Sequence, residues 1–296
     1  IIQKIHTRKK LSVDIDLLFP ASTHIFFSGI KNRLFWIPDF QEHFLPHFFS
    51  EEEIQIRKKH QLFLSQSCSI VFSSNDAASH FKQLYPASTA KIYVLPFAVT
   101  HPSFSELPIE TVLSKYEITQ PYFFCPNQVW QHTNHITVLK AIKKLKEEGE
   151  ENVLVAFSGK EYDNRHPGVF EGLKRYISEN GLEKNAKFLG FIDRKEQLQL
   201  MNNAVCVIQP SLFEGWSTSV EDAKVMQQYV IASNLAVHRE QLQKNALFFE
   251  PENILQLATC LKNIKPQARP ITNDYEKDVF KFGYTFIEIV KKIIAN

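Results

Sequence analysis

Between residues 120 and 263 the chain alternates two hydrophobic patterns with few interruptions. Continuous apolar runs at 122–125, 153–158, 187–189, 204–208, 229–232 and 247–249 predict buried strands. The stretches between them, at 134–148, 168–180, 194–202, 218–227, 238–243 and 252–263, repeat apolar residues three and four positions apart, as helices with one covered face do. Gly149 and Gly181 follow two of these helices, where a stop is expected. Strands that are apolar throughout and separated by helices predict an α/β architecture, with a parallel sheet covered on both faces. A doubly wound sheet binds its ligand at the carboxyl ends of its strands. That rim is then built from the loop 125–135, residues 158–160 and residues 210–218.

The first hundred residues show a less regular version of the same pattern. Strands are expected at 12–19, 33–37, 68–73 and 91–95, and a helix at 75–84. Ser50 followed by Glu51, Glu52 and Glu53 predicts the capped start of a helix reaching about residue 65, with Arg57, Lys58 and Lys59 farther along it. Pro96, Pro102 and Pro108 mark a linker and a change of composition. The chain therefore divides into an N-terminal domain at 1–107, a C-terminal domain at 108–273 and a last helix at 274–296. Val279, Phe280, Ile287, Val290 and Ile294 repeat along that helix, which is expected to pack back toward the N-terminal domain.

Composition narrows the classes of function. With 296 residues, 44% hydrophobic and 22% charged, the chain is globular and long enough for two cores. A net charge of +2 gives no argument for nucleic acid as a partner. The four cysteines, Cys68, Cys125, Cys206 and Cys260, lie far apart beside apolar runs and read as buried thiols of a reducing, cytoplasmic compartment. No apolar run approaches the length that crosses a bilayer, and no leader is visible. Lys4, Arg8, Lys9 and Lys10 could lie on anionic lipid at the inner face of a membrane, although such a run more often forms a solvated face. Asp14-Ile15-Asp16 has the form of a metal-holding tripeptide, but its alternation with Val13 and Leu17 favours a strand with one polar face, so no metal is expected.

The densest chemistry lies in Gln209-Pro-Ser-Leu-Phe-Glu-Gly-Trp-Ser-Thr-Ser-Val-Glu-Asp222. An apolar strand feeds a turn carrying Glu214 and Gly215, and a helix follows. Thr218 and Glu221 have capping-box spacing at its start. Unpaired N–H groups and the positive end of a helix dipole make an anion site there. Acids beside an anion site fit a ligand that carries both phosphate and hydroxyls, such as a nucleotide sugar.

These residues, with Phe188-Leu-Gly-Phe191 upstream and with Pro126-Asn-Gln-Val-Trp130 and Val237-His-Arg-Glu240 in the expected places, resemble the donor half of glycosyltransferase family 4, the mannosyltransferase-like group 1 enzymes. The resemblance spans about residues 30 to 265. It implies a GT-B fold of two Rossmann-like domains, with the donor on the C-terminal one. It also implies hexose transfer from a nucleoside-diphosphate sugar such as a GDP- or UDP-hexose to a saccharide or lipid-linked saccharide, with retention and without a metal or other cofactor. The family's glycine-rich loop near the protein start has no counterpart, so about one strand–helix unit of the N-terminal domain is expected to be missing ahead of Ile1.

Carried over residue by residue, Glu214 is the acid for sugar hydroxyls. Gly215, Trp216, Ser217 and Thr218 face the diphosphate and sugar, and Gly190, Phe191 and Ile192 border the base. The second acid falls on Asp222, eight positions after Glu214, and is expected at the ribose because Glu221 is occupied by the cap. Gln128 and Thr133 stand where the family has an Arg and a Lys for the diphosphate. The missing positive charge must then come from helix N-termini, from Lys160, or from His132 or His135. His43, near Gln41 and Glu42, is the candidate in the N-terminal domain. Two other readings stay open: a non-catalytic domain that binds a nucleotide sugar or a partner, and another GT-B enzyme such as a nucleotide-sugar epimerase.

Overall fold

The computed structural model describes residues 15–21, 30–66, 68–264 and 275–295. Asp14 and the cations at positions 4–10 therefore lie outside the described residues. The chain forms two compact units, one of the described residues up to Ala98 together with those from Lys277 on, the other Val99–Glu276. The break falls inside the proline-bearing stretch.

In the first unit, among the described residues, β1 (Leu17–Leu18), β2 (Asn32–Trp36), β3 (Ser69–Phe72) and β4 (Lys91–Val94) form a parallel sheet in the order β1-β2-β3-β4. The short helix α1 (Gln41–Phe44) and a 3₁₀ turn at Pro46–Phe48 follow β2, and α2 (Glu51–Leu64) and α3 (Asn75–Leu84) flank β3. Both longer helices start as their sequences dictate, since Ser50 Oγ accepts from the Glu53 N–H and Ser74 Oγ from the Ala77 N–H. Phe35, Phe40, Leu64, Ile70, Phe72 and Phe81 fill the core on one face.

The second unit begins with α4 (Ile109–Lys115) and then alternates without a break. In chain order come β5 (Phe123–Cys125), α5 (His135–Glu147), β6 (Val155–Phe157), α6 (Val169–Glu179), β7 (Ala186–Phe188) and α7 (Arg194–Asn203). After these come β8 (Val207–Gln209), α8 (Thr218–Val225), β9 (Val230–Ser233), α9 (Ala236–Gln241), β10 (Ala246–Phe249) and α10 (Ile254–Asn263). Every strand pair is parallel, and the order among the described residues is β10-β9-β8-β5-β6-β7. The sheet winds outward in both directions from the β5–β8 pair, so the loops after β5 and β8 diverge at its topological switch point.

Both faces of this sheet are covered. Val138, Leu139, Ile142 and Leu145 of α5, with Leu173, Ile177, Leu257 and Leu261, pack on one side. Leu200, Met201, Val220 and Ala223, with Val112, pack on the other. Each large aliphatic side chain so buried contributes about 1.5–3 kcal/mol. Cys125 and Cys206 are fully buried, and that burial pushes both thiols up; Cys68 and Cys260 are half-buried, and all four are unpaired.

The last helix, α11 (Tyr275–Ile294), places Ile289 and Ile293 against Leu34, Val71 and Leu95 of the first unit. Among the described residues, no helix is long and apolar enough to cross a membrane.

Candidate active site

Three hydrogen bonds stitch the two loops at the switch point together. The Leu212 N–H donates to the His132 carbonyl (2.8 Å), Asn134 Nδ2 to the Pro210 carbonyl (3.0 Å), and Ser219 Oγ to the Pro126 carbonyl (2.9 Å). Asn134 adopts the left-handed conformation, with φ 58°, which an Asn tolerates better than most residues. Its Nδ2 also reaches the Pro251 carbonyl at 2.7 Å. The rim is therefore a cross-braced surface with little freedom in its backbone.

Glu214 sits on this rim, half-buried. Its Oε1 accepts from Ser211 Oγ (2.7 Å) and from Gln209 Nε2 (3.0 Å). Gln209 ends β8, and Ser211 is fully buried with its carbonyl taken by Ser233 Oγ at 2.6 Å. Ser233 is in turn held by the buried His238, whose Nδ1 lies 2.9 Å from the Ser233 carbonyl. The acid therefore ends a chain of buried contacts running from β9 to the rim, which fixes the carboxylate.

The helix after it starts differently from the expectation. Ser217, not Thr218, is the N-cap of α8, and its Oγ accepts from the Val220 N–H. Thr218 is the first helical residue and is exposed, so Glu221 stands one position beyond a capping box. A carboxylate there does not reach back to the cap. Glu221 turns inward, where Oε1 accepts from Gln241 Nε2 (3.0 Å) and Oε2 from the Tyr275 hydroxyl (2.7 Å), while Lys224 pairs with both oxygens. Gly215 and Ser217 are buried and Trp216 half-buried. With the Val220 N–H taken by the cap, the Thr218 and Ser219 N–H groups are those of the first turn of α8 left without intrahelical acceptors.

Asp222 is only 2% exposed. Its Oδ1 meets His101 Nε2 at 3.0 Å and accepts from Arg194 Nη2 at 2.5 Å. Oδ2 takes no hydrogen bond among the described residues. Both adjacent acids are thus engaged by side chains, and the reason for preferring Asp222 over Glu221 changes. Glu221 has both oxygens used, whereas Asp222 keeps one.

The loop after β5 settles what Gln128 and Thr133 do locally. Gln128 Oε1 accepts the Lys160 N–H at 2.7 Å, tying the loops after β5 and β6 together. Thr133 Oγ1 lies within 2.8 Å of the Gln128 carbonyl and 2.7 Å of the Trp130 carbonyl, accepts the Trp130 N–H, and meets His135 Nδ1 at 3.0 Å. A hydroxyl so surrounded and 4% exposed braces its own turn. His132 and His135 cannot supply the missing cation. Burial lowers each to about 4, so both are neutral at pH 7. Lys160 is the exposed cation on this part of the rim.

Gly159 and Gly190 bring the loops after β6 and β7 together through a Gly159 N–H to Gly190 carbonyl bond of 2.9 Å. Gly159 has φ 151°, and a Cβ there would lie 2.2 Å from the Asn127 carbonyl oxygen, so only glycine fits. Phe191 is 79% exposed beside it, whereas Ile192 packs inward. A large apolar side chain held out at a ligand rim suits a flat ligand face.

His43, on α1, belongs to the first unit. Its Nε2 meets Gln61 Oε1 at 2.9 Å, beside the buried Glu42, which also accepts from Gln61 and Arg57. The sequence reading missed His101, Arg194, Gln209 and Ser211. The Ser-x-x-Glu spacing of Ser211 and Glu214 was a usable signal for one of them; His101, distant in sequence, offered none.

A family model described as "Glycosyl transferases group 1" matches residues 111–268. The O-antigen chain mannosyltransferase RfbU of Salmonella typhimurium is 21% identical over 257 residues, covering 86% of this chain and 67% of that protein. Among solved structures, an α,α-trehalose-phosphate synthase (UDP-forming) from Burkholderia xenovorans superposes with a TM-score of 0.69 at 12% identity, covering 89% of this chain and 69% of that one. A glycosyltransferase from Rickettsia africae gives a TM-score of 0.60 at 19% identity, covering 88% and 68%. The chain thus spans about two thirds of the length of these relatives, and the α/β, GT-B fold expected from the sequence is the one observed. Because the matched segment is more than half of the chain and carries the whole switch-point rim, the chain belongs to the group 1 glycosyltransferases.

Proposed function

We propose that this chain transfers a hexose, with retention of configuration, from a nucleoside-diphosphate sugar to a hydroxyl of a saccharide or lipid-linked saccharide. The observation that carries the reading is Glu214, an acid fixed by Gln209 and Ser211 at the switch point and beside the N-terminus of α8. An ionised carboxylate accepts without donating and each of its oxygens can take more than one hydrogen bond, so a carboxylate held at this place can accept sugar hydroxyls and orient the ring. The mannosyltransferase relative supports a hexose donor and a saccharide acceptor, and the UDP-forming neighbour supports a nucleoside diphosphate as leaving group.

In this mechanism the bond from the anomeric carbon to the diphosphate breaks as the acceptor oxygen attacks from the same face. The acceptor proton passes to the departing phosphate oxygen, so charge and atoms balance. The negative charge gathered on the diphosphate is met by the first-turn N–H groups of α8 and α5 and by Lys160, without a metal ion. Gly190 and Phe191 border the base, and Asp222 Oδ2 takes a ribose hydroxyl. Gln128 keeps Lys160 in place through its backbone, and Thr133 braces the loop.

The test is a donor screen with UDP- and GDP-hexoses that scores both sugar transfer and donor hydrolysis, for the wild type, Glu214→Ala and Lys160→Ala. Glu214→Ala should lose transfer by at least a hundredfold, about 3 kcal/mol. Lys160→Ala should lower the rate more than it alters the choice of sugar. Unchanged transfer in Glu214→Ala would remove the acid from the site. One observation favours a second reading: the uncharged Gln128 and Thr133 leave Lys160 to carry the phosphate charge, as a chain that binds the donor without turnover would tolerate. Binding with no turnover of any donor would select it.

A further inference from the structure

Asp222 is a costly place for a charge. An ion removed from water loses several kcal/mol of solvation unless partners replace it. Here two side chains from distant parts of the second unit provide them. His101 comes from the stretch that precedes α4, and Arg194 is the first residue of α7. Both meet the same oxygen, at 3.0 and 2.5 Å. Arg194 is itself fixed, since its Nη1 donates to Gln197 Oε1 at 2.7 Å one turn along α7. The His101 ring packs edge-on against Phe104, 5.9 Å between centroids.

One residue away, Glu221 distributes its donors over both carboxylate oxygens, with Gln241, Lys224 and Tyr275. Asp222 concentrates them on Oδ1 and leaves Oδ2 without a protein donor among the described residues. Two donors on one oxygen also fix the rotation of the carboxylate plane, which sets where the other oxygen points. Arg194 opens α7, just after Gly190 and Phe191, and Asp222 lies at the start of the second turn of α8; both helices follow strands and so begin at the carboxyl ends of the sheet.

We propose that His101 and Arg194 are positioning residues for the donor, clamping Asp222 by Oδ1 so that Oδ2 is presented to the ribose hydroxyls of the nucleotide. This rests on the reading of Asp222 as the ribose acid. The clamp gives the site its selectivity for a ribonucleotide, while Glu214 recognises the sugar.

The experiment is calorimetric titration of the full chain with UDP and GDP and with their 2′-deoxy counterparts, in wild type, Asp222→Asn, His101→Ala, His101→Gln and Arg194→Ala, with a melting curve for each. Wild type should prefer one ribonucleotide to its deoxy form by about tenfold or more. His101→Ala and Arg194→Ala should lower that preference to near unity, while His101→Gln, whose amide can still donate to Oδ1, should restore most of it. The ribo-to-deoxy ratio separates positioning from stability, because a lower melting temperature weakens both ligands alike. Asp222→Asn with an unchanged ratio, or no binding of either nucleotide to the wild type, overturns the ribose reading and the clamp with it. A ratio that collapses in Asp222→Asn but survives in both His101→Ala and Arg194→Ala overturns the clamp alone.

Discussion

Acid should destabilise the fold around the site, and the reason lies in two buried histidines. His135 opens α5 and His238 sits under the Glu214 loop; burial lowers both to about 4 from an ordinary 6.5. In the folded chain they stay neutral down to that pH, whereas in the unfolded chain they bind protons from pH 6.5 downward. The unfolded state therefore holds more protons between pH 6.5 and 4, and stability falls as the pH falls through that window. At about pH 5.5 each histidine removes on the order of 1.4 kcal/mol, or about 3 kcal/mol for the pair, with almost none removed at about pH 7.5. For a domain whose total stability is about 5–15 kcal/mol this is a large share. Urea unfolding followed by tryptophan fluorescence at the two pH values measures it. His238→Asn retains a donor toward the Ser233 carbonyl but does not titrate, so its loss between the two pH values should be smaller by about 1.4 kcal/mol. Equal loss in His238→Asn and wild type would refute the argument.

Three further outcomes follow from the rim. Ser211→Ala removes a hydrogen bond that fixes Glu214, a bond to a charged group worth about 1.5–3 kcal/mol, so kcat/KM for sugar transfer should fall about ten- to a hundredfold; a change under twofold would show that the remaining contacts suffice. Gly159→Ala sets a Cβ 2.2 Å from a backbone oxygen at a φ that L-residues rarely adopt, and should cost at least about 3 kcal/mol in chemical denaturation while weakening nucleotide binding. Asn134→Gly keeps the left-handed conformation but abandons the Pro210 and Pro251 carbonyls, so a loss of about 2 kcal/mol by the same measurement is expected, and a neutral result would mean that water replaces both bonds.

The sheet of the second unit was legible because its strands are apolar throughout and its helices carry a covered face, two periods that compete with nothing else in that region. Most boundaries moved by a residue or two, as at β6, where the expected 153–158 becomes Val155–Phe157, and the largest shift is at β8, which starts at Val207 instead of 204. In the first unit α1 and the 3₁₀ turn after it went unseen, since four polar and aromatic residues between prolines carry no period. The cap of α8 was misplaced by one residue, because Ser217 and Thr218 are both good caps and only the backbone decides between them. On the rim, the place of Glu214 could be read from its own neighbourhood in sequence. What could not be found were the partners that give each acid its environment: His101 is 121 positions from Asp222, and His132 and His135 look cationic until their burial is known.

Tyr275 and His101 have a practical bearing on where the second unit can be cut. The chain enters this unit at Val99, whose N–H donates to the Tyr275 hydroxyl at 2.8 Å, and it leaves at Tyr275, which donates to Glu221. Entry and exit are thereby tied to each other and to consecutive acids of α8. A fragment started at residue 108 and ended at 273, at the joints the prolines suggest, would discard both ties and leave Glu221 and Asp222 as buried carboxylates short of donors. A fragment of residues 99–276 keeps them, and it is the smaller piece from which an intact nucleotide site can be expected.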